Sequence, residues 1–188
     1  LETPRHKFLD GIFDAQAYED MSLPIGHKQT ISQPFIVARM TELLISETAF
    51  EDRPLGEVLE IGAGCGYQTA ILSKICRKVF AIERIEQLCD VAKKNLTKLN
   101  IKNFEIKHGD GYEGWKIEKK FDGILCAAAA PLVPKKLKQQ LSIGARLVCP
   151  VGDQENQKLM TVKRISKEGF EEELVENVLF VPMLEGVD

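Results

Sequence analysis

The most constraining feature of this sequence is a glycine-rich loop that leaves a predicted strand and opens a predicted helix. The strand covers residues 57–61, the loop runs from Gly62 to Gly66, and the helix starts at Tyr67. Gly62 permits a tight turn, and Gly64 and Gly66 let a ligand approach the backbone because they carry no Cβ atom. A strand, loop and helix in this order indicate a ligand-binding α/β unit.

The segments around the loop alternate between short apolar runs and helical periodicity. Strands rich in Val, Ile and Leu that alternate with helices predict a doubly wound, mostly parallel sheet with helices on both faces. Two later apolar runs, separated by residues 167–169, predict an antiparallel hairpin at one edge of the sheet. The further strands are expected at residues 78–83, 104–108, 121–128 and 145–151, and the helices at 67–76, about 88–99 and 134–141.

The composition excludes several classes of protein. The 188 residues suit one globular domain, with 44% hydrophobic and 28% charged residues. A formal charge of −3 argues against nucleic acid as a partner, since phosphate-backbone binding normally needs a basic surface. The five cysteines form no CxxC pair, so neither a disulfide framework nor a zinc or other metal site is expected. With no apolar signal segment in residues 1–10 and no apolar run long enough for a bilayer, we expect a cytoplasmic protein without membrane contact.

The segment before the glycine loop has a different character. Residues 1–31 are rich in loop signals, and a loop of this length in a compact domain is usually functional or disordered. A helix is expected to begin just after Ser32 and to run to about Ser46, with apolar residues recurring on one face. Ser32 is placed to cap this helix, and Pro34 is tolerated in the first turn because its missing N–H has no helical partner there.

The spacing of the glycines selects among possible ligands. The loop reads GxGxG, and Tyr67 stands where a dinucleotide-binding GxGxxG loop has its third glycine. A pyrophosphate needs a bare helix N-terminus, whereas S-adenosylmethionine carries no phosphate and presents an amino-acid tail. The acidic Glu60 before the loop further favours a ligand with a cationic group.

Two acidic residues after the next predicted strands fit an adenosine. Glu83 ends the second strand, 21 positions after Gly62, where a carboxylate can accept hydrogen bonds from both ribose hydroxyls. Asp110, between Gly109 and Gly111, is placed to accept a hydrogen bond from the adenine amine. The glycine loop, Glu83 and Asp110 all lie at the carboxyl ends of predicted parallel strands, where open sheets bind ligands.

Seven stretches of the chain follow one another in an order and spacing that is specific in combination. They are LPIGHKQTISQPFIVARMTELL, VLEIGAGCGYQTAIL, AIERIEQL, HGDGYEGW, FDGILCAAAAPLVP, GARLVCPVG and FVPM. Together they resemble the protein-L-isoaspartate O-methyltransferases, from Thr3 to Met183. The glycine loop alone would indicate any class I methyltransferase, and QTISQP at residues 29–34 is the more specific part.

The resemblance implies a class I S-adenosylmethionine-dependent methyltransferase with a Rossmann-like sheet. It implies methyl transfer from S-adenosylmethionine to the α-carboxylate of an L-isoaspartyl residue in damaged proteins and peptides, giving a methyl ester that closes to a succinimide. Ser32 is implied to be the active-site serine, with Ile31, Gln33 and Val181 around the substrate. The residues implied to bind the cofactor are Glu60, Gly62, Ala63, Gly64, Gly66, Glu83, Asp110 and Gly111.

This chemistry needs positioning more than it needs a base. A carboxylate with an ordinary pKa of about 4 is already ionised at neutral pH. In-line alignment of oxygen, methyl carbon and sulfur then lowers the barrier, by up to ~7–11 kcal/mol in ideal cases. We hypothesise that Ser32 orients the carboxylate at a helix N-terminus whose free N–H groups favour an anion. From the residues alone a helix cap is the simpler explanation of Ser32, and the two roles can coexist.

We expect one methyltransferase domain, with a substrate segment in residues 1–50, a cofactor-binding core in 51–155 and C-terminal strands in 156–188. It is expected to act as a monomer on isoaspartyl-containing proteins and peptides. A methyltransferase for another carboxylate or a small molecule, a nucleotide-binding oxidoreductase, which Tyr67 disfavours, and a cofactor-binding module without catalysis remain alternatives. Lys28 stands where the family commonly has glycine, which leaves the shape of the substrate loop open if that position needs a positive φ.

Overall fold

The computed structural model describes residues 3–45, 55–115 and 118–188. Strands and helices alternate through most of these ranges, as the sequence predicts. The strands are β1 (Leu23–Gly26), β2 (Gln29–Ile31), β3 (Leu55–Ile61), β4 (Cys76–Glu83), β5 (Phe104–His108), β6 (Phe121–Cys126), β7 (Leu141–Gly152), β8 (Gln157–Arg164) and β9 (Phe170–Val178). The helices are α1 (Pro34–Ile45), α2 (Tyr67–Leu72), α3 (Glu86–Lys98) and α4 (Lys135–Gln139).

Seven of the strands form one sheet in the order β5-β4-β3-β6-β7-β8-β9. The first five pair in parallel, and β8 and β9 add antiparallel strands at the β7 side. The chain therefore reverses its direction of travel across the sheet at β3, between β4 and β6. The crevice at such a reversal is where open α/β sheets bind ligands. The predicted fold class is confirmed, including the C-terminal antiparallel hairpin.

The central strands are buried on both faces because consecutive apolar side chains point to opposite sides of the sheet. Val58, Val79 and Leu125 pack in one cluster with Met40 and Leu44 of α1. Their neighbours along the strands pack on the other face with Leu137 of α4, and these are Leu59, Phe80 and Ile124. All of these side chains are 4% exposed or less, so the helices cover the sheet on both faces as predicted.

The N-terminal segment is more ordered than its loop signals indicate. Two short 3₁₀ turns, at Arg5–Phe8 and Gly11–Phe13, precede an antiparallel hairpin made by β1 and β2. The two-residue turn of the hairpin is His27-Lys28, and both residues have positive φ, 52° and 58°. The position of Lys28 thus does require the left-handed conformation, and the lysine adopts it. The hairpin has no local sequence signal, because the usual Asn-Gly turn is absent.

Helix α1 begins one residue later than predicted, at Pro34, and Ser32 does not cap it. The first helical hydrogen bond runs from Val37 N–H to the Gln33 carbonyl, so Gln33 is the N-cap residue. Asp20 supplies the capping side chain, because its Oδ1 accepts from Phe35 N–H at 2.8 Å. The predicted end of the helix, Ser46, lies outside the described residues. Within the described ranges no helix is long and apolar enough to cross a bilayer.

Candidate active site

A cavity opens at the reversal point of the sheet, beyond the carboxyl ends of β3, β4 and β6. Its volume is about 880 Å³ when counted out to the open mouth. We call the part formed by Gly62–Gly64 and Glu83 the glycine-loop end, and the part formed by residues 29–32 and Val181 the hairpin end. The remaining lining residues are Ile25, Val37, Ile61, Cys65, Tyr67, Gln68, Ile82, Arg84, Ile85, Gly111, Ala127, Ala128, Pro182, Met183 and Leu184.

The glycine loop is held by the strands on either side of it. Gly62 N–H donates to the Ile82 carbonyl at 2.8 Å, which ties the loop to the end of β4. Gly66 has a φ of 88° and precedes α2, and a Cβ there would lie 3.3 Å from Ala92 of α3. Gly66 does not line the cavity. Its lack of a side chain serves the close approach of two helices, whereas the sequence analysis assigned it to the ligand.

Glu83 is fixed at the floor of the glycine-loop end. Its side chain is 5% exposed, Oε2 accepts from Gly64 N–H at 2.8 Å, and Oε1 accepts from Ile85 N–H at 3.0 Å. Each carboxylate oxygen can accept more than one hydrogen bond. Glu83 therefore keeps acceptor capacity toward the cavity while its orientation is set by two backbone groups.

Glu60 lies behind the loop and does not line the cavity. It is completely buried, and its Oε2 accepts from the Thr69 hydroxyl at 2.6 Å while Oε1 has no partner among the described residues. Burial raises the pKa of this carboxyl to about 8. Glu60 is accordingly neutral at pH 7, so the expected attraction for a cationic ligand is corrected: its carboxyl supports α2 through Thr69.

Asp110 is engaged by backbone groups on both of its oxygens. Oδ1 accepts from Tyr112 N–H at 2.8 Å, and Oδ2 accepts from Gly186 N–H at 2.8 Å. Asp110 is not part of the cavity lining, although the adjacent Gly111 is. A Cβ at Gly111 would collide with Ile61 and with Met183, so this position must stay without a side chain.

The last residues of the chain lie across the ends of β4 and β5. Arg84 Nη1 and Asp188 Oδ2 form an ion pair at 2.8 Å. The Asp188 backbone donates to the Arg84 carbonyl at 2.8 Å and accepts from Glu86 N–H at 3.1 Å. Together with the bond from Gly186 to Asp110, these contacts place residues 184–188 beside the glycine-loop end.

Ile31, Ser32 and Val181 all line the hairpin end of the cavity. The Ser32 hydroxyl has no hydrogen-bond partner in the described part of the chain, which leaves it available to a ligand. Gln33 is absent from the lining because its side-chain amide donates to Asp20 Oδ2 at 3.2 Å. Asp20 therefore already places a carboxylate at the start of α1. The free, anion-attracting helix terminus expected beside Ser32 is not what the structure shows.

Cys65 lines the cavity but is not a reactive thiol. Its side chain is 3% exposed, and burial raises the pKa of the thiol to about 12. The thiolate is the nucleophilic form of cysteine, so this group is inert at neutral pH. All five cysteines are buried and unbridged.

Comparison with known proteins assigns the chain to a family. A family model described as protein-L-isoaspartate(D-aspartate) O-methyltransferase matches residues 1–188. The protein-L-isoaspartate O-methyltransferase of Pseudomonas aeruginosa strain LESB58 is 50% identical over 98% of this chain and 84% of its own length. The enzyme of that name from Pseudomonas fluorescens is 49% identical over the same shares. This chain belongs to the protein-L-isoaspartate O-methyltransferase family.

A solved structure agrees with that assignment. The protein-L-isoaspartate O-methyltransferase crystal structure from Plasmodium falciparum, in complex with S-adenosyl-L-homocysteine, superposes with a TM-score of 0.79. Its sequence is 25% identical, and the match covers 97% of this chain and 87% of that one.

S-adenosylmethionine, the methyl donor of the family, fits the cavity of the present protein. Apolar side chains of Ile82 and Ile85 line the cavity beside Glu83, and apolar walls with a few placed polar groups are typical of small-molecule sites. The Glu83 carboxylate is anchored with lone pairs to spare, as an acceptor for two ribose hydroxyls must be. No group of three or more acidic, histidine or cysteine side chains placed to hold a metal occurs in the described ranges.

Several residues of the site have little or no signal in the local sequence. Gln68 lines the cavity and donates to the Thr41 hydroxyl at 3.0 Å, which in turn donates to the Val37 carbonyl at 2.7 Å. This relay joins α2, which follows the glycine loop, to α1, which follows the hairpin. The one sequence signal for Gln68 is that it is a polar residue on the inward face of a helix. The capping by Asp20 and the position of residues 184–188 have no local signal, because both depend on contacts between distant parts of the chain.

Proposed function

We propose that this protein transfers a methyl group from S-adenosylmethionine to the α-carboxylate of L-isoaspartyl residues in damaged proteins and peptides. The observation that carries the proposal is the single cavity that joins the glycine-loop end to the hairpin end. Glu83 and Ser32 line the same space, so a donor held by the first can face a carboxylate held by the second. The family membership supports the same activity.

The cofactor would lie along the glycine-loop end. Gly62, Ala63 and Gly64 offer backbone, Glu83 accepts from the ribose hydroxyls, and Gly111 leaves room for the ring. Asp110 would meet the adenine amine through the lone pairs that Tyr112 and Gly186 leave free. When bound, S-adenosylmethionine supplies an electrophilic methyl group on a positively charged sulfur. Glu60 and Gly66 support this arrangement from behind the loop.

The substrate would enter at the hairpin end. Ser32 donates its hydroxyl to the isoaspartyl α-carboxylate and fixes its direction of attack, while Ile31 and Val181 exclude water on either side. Gln33 contributes through its backbone, because its side chain is bonded to Asp20. No residue needs to remove a proton, since the attacking carboxylate is ionised at neutral pH. Ser32 thus acts by alignment, and it forms no covalent intermediate.

We further propose that residues 1–50, 51–155 and 156–188 work as one domain in a cytoplasmic monomer. The shared cavity supports the first part, because all three segments contribute to its walls. The five buried, unbridged cysteines support a reducing compartment. Light scattering on a sizing column tests the oligomeric state, and a dimer mass would contradict it.

A methyl-transfer assay with matched peptides tests the activity. The protein is incubated with radiolabelled S-adenosylmethionine and with two peptides that differ at one site, L-isoaspartyl in one and L-aspartyl in the other. We expect base-labile label on the isoaspartyl peptide alone, since an ester releases methanol in base. Label on neither peptide contradicts the proposal. In a separate reaction with small carboxylic acids in place of the peptides, label on one of the acids would favour the alternative methyltransferase.

A further inference from the structure

Arg5 is a buried cation directly behind the hairpin end of the cavity. Its side chain is 1% exposed. Nη1 donates to the Ser32 carbonyl at 2.6 Å, and Nη2 donates to the Met21 carbonyl at 3.1 Å. The guanidinium carbon lies 5.2 Å from the centre of the Tyr67 ring. Arg5 therefore touches two residues that line the cavity, Ser32 and Tyr67, although it does not line the cavity itself.

The charge of Arg5 is not neutralised by an acidic side chain within the described ranges. Its Nε has no partner there, and Nη1 and Nη2 donate to neutral carbonyls. The Tyr67 hydroxyl also interacts with Arg5, and burial raises the pKa of that hydroxyl, so this partner is neutral as well. Asp20, whose field reaches Arg5, is bonded to Phe35 N–H and to the side chain of Gln33. A buried cation without a paired anion is unfavourable, so the site gains when a negative group arrives nearby.

The bond from Arg5 also fixes the direction of the Ser32–Gln33 peptide. In a planar trans peptide the carbonyl and the following N–H point in opposite directions. Because Arg5 holds the Ser32 carbonyl, the Gln33 N–H points away from the buried guanidinium, and no acceptor among the described residues takes it. Pro34 has no N–H, and Phe35 N–H is used by Asp20.

We propose that Arg5 is a positioning residue for the anionic group of the substrate. It holds the Ser32 peptide in place and supplies the positive charge that makes the hairpin end prefer a carboxylate to its neutral amide. This inference rests on the proposed function. It locates the source of anion preference in a protein whose formal charge is −3 and whose α1 N-terminus already carries Asp20. Arg84, another cation at the cavity, is paired with Asp188.

The test compares two peptides on several proteins, in the presence of S-adenosyl-L-homocysteine so that no turnover occurs. One peptide carries L-isoaspartate, and the other carries its α-carboxamide, L-isoasparagine. Calorimetry gives the ratio of the two dissociation constants. We expect the wild-type protein to prefer the carboxylate by more than tenfold. Arg5→Gln should reduce that ratio to below about threefold, because it removes the charge but keeps a hydrogen-bond donor.

Two further variants separate charge from structure. Arg5→Lys keeps the charge and loses one of the two bonds, so both peptides should bind more weakly while the ratio stays within about twofold of wild type. Lys136→Gln removes an exposed, ion-paired charge of the same sign and should leave the ratio unchanged. The dissociation constant of S-adenosyl-L-homocysteine should change by less than about threefold in all of them.

The proposal is overturned if the wild-type ratio is near one, or if Arg5→Gln weakens both peptides by the same factor. If Arg5→Gln does not fold, as judged by circular dichroism, Arg5→Lys decides: loss of the preference with the charge retained contradicts the proposal. A wild-type protein that labels no isoaspartyl peptide fails the proposed function instead, so the two failures are distinct.

Discussion

Glu60 shows how burial can dominate the charge of a side chain next to a binding loop. Among the described residues the carboxyl has one hydrogen-bond partner, Thr69. Desolvation dominates, the nearby charge of Glu83 acts in the same direction, and the pKa rises to about 8. A neutral acid can donate as well as accept a hydrogen bond. At this position the protein has a polar support for α2 without a negative charge beneath the glycine loop.

Stability should fall with rising pH because of Glu60. The pKa rises from an ordinary 4.5 to about 8 on folding, so between these values the unfolded chain releases the proton and the folded chain keeps it. Each pH unit in this window costs about 1.4 kcal/mol of stability. Glu60→Gln removes the titration, and urea unfolding at pH 5.5 and 7.5 should show a flatter pH dependence than wild type. The same change at the exposed Glu173 should leave the slope alone; an unaltered slope in Glu60→Gln would argue against the raised pKa.

Ser32 has a hydroxyl that no described residue engages, at a site where an anion is proposed to bind. We expect Ser32→Ala to lower kcat for an isoaspartyl peptide by more than tenfold, because the carboxylate loses the donor that aligns it. The dissociation constant of S-adenosyl-L-homocysteine should change by less than about twofold. Ser22→Ala, an exposed serine in the same N-terminal segment, is the matched control. Near-normal turnover in Ser32→Ala would remove the alignment role.

The β1–β2 hairpin illustrates which secondary structures local signals reveal and which they do not. The glycine loop, β5 and α3 follow from periodicity and from turn residues close in sequence, and Asn100 ends α3 near the predicted place with a φ of 57°. The hairpin turns through His27 and Lys28, which carry no such signal. The cap of α1 comes from Asp20, and the walls of the site come from both ends of the chain, so these depend on packing that a local window of sequence does not contain.

Lys28 is strained in the hairpin turn. A left-handed conformation costs a residue with a Cβ roughly 1–2 kcal/mol, and glycine avoids this cost. Glycine is also more flexible in the unfolded chain, and the extra entropy that it loses on folding offsets about 0.5–1 kcal/mol of the gain. We therefore expect Lys28→Gly to raise the free energy of unfolding by about 0.5–1 kcal/mol. Lys94→Gly, in the exposed face of α3, should lower it by about 1 kcal/mol. Chemical unfolding of both variants measures whether each change raises or lowers the free energy of unfolding. A loss of stability in Lys28→Gly would show that the turn is not strained.

At the scale of the whole molecule, the cavity is closed by parts of the chain that are far apart in sequence. The N-terminal hairpin supplies one wall, the sheet supplies the floor, and residues 181–184 supply another wall. A ligand that fills this space contacts all three. Because such a ligand binds the folded protein, it stabilises all three parts together against unfolding.

S-adenosyl-L-homocysteine should raise the melting temperature through Glu83. At a ligand concentration of 100 times Kd the stabilisation is about 2.7 kcal/mol, or roughly 5–10 °C for a domain of this size. Glu83→Gln should weaken binding at least tenfold and so remove about 1.4 kcal/mol of this effect at the same concentration. Glu86→Gln, an exposed neighbour at the start of α3, should respond like wild type. Differential scanning fluorimetry at several ligand concentrations measures both, and an undiminished shift in Glu83→Gln would contradict its role.

The outer edge of the sheet bears on whether this protein aggregates with the proteins on which it acts. Strand β9 ends the sheet and leaves one row of backbone groups available for pairing with a further strand. Its exposed positions include three consecutive glutamates, Glu171, Glu172 and Glu173. Charges on an edge strand disfavour the addition of another chain. An isoaspartyl-containing protein that presents an extended segment is thus hindered from pairing with β9, which opposes edge-to-edge aggregation of enzyme and substrate.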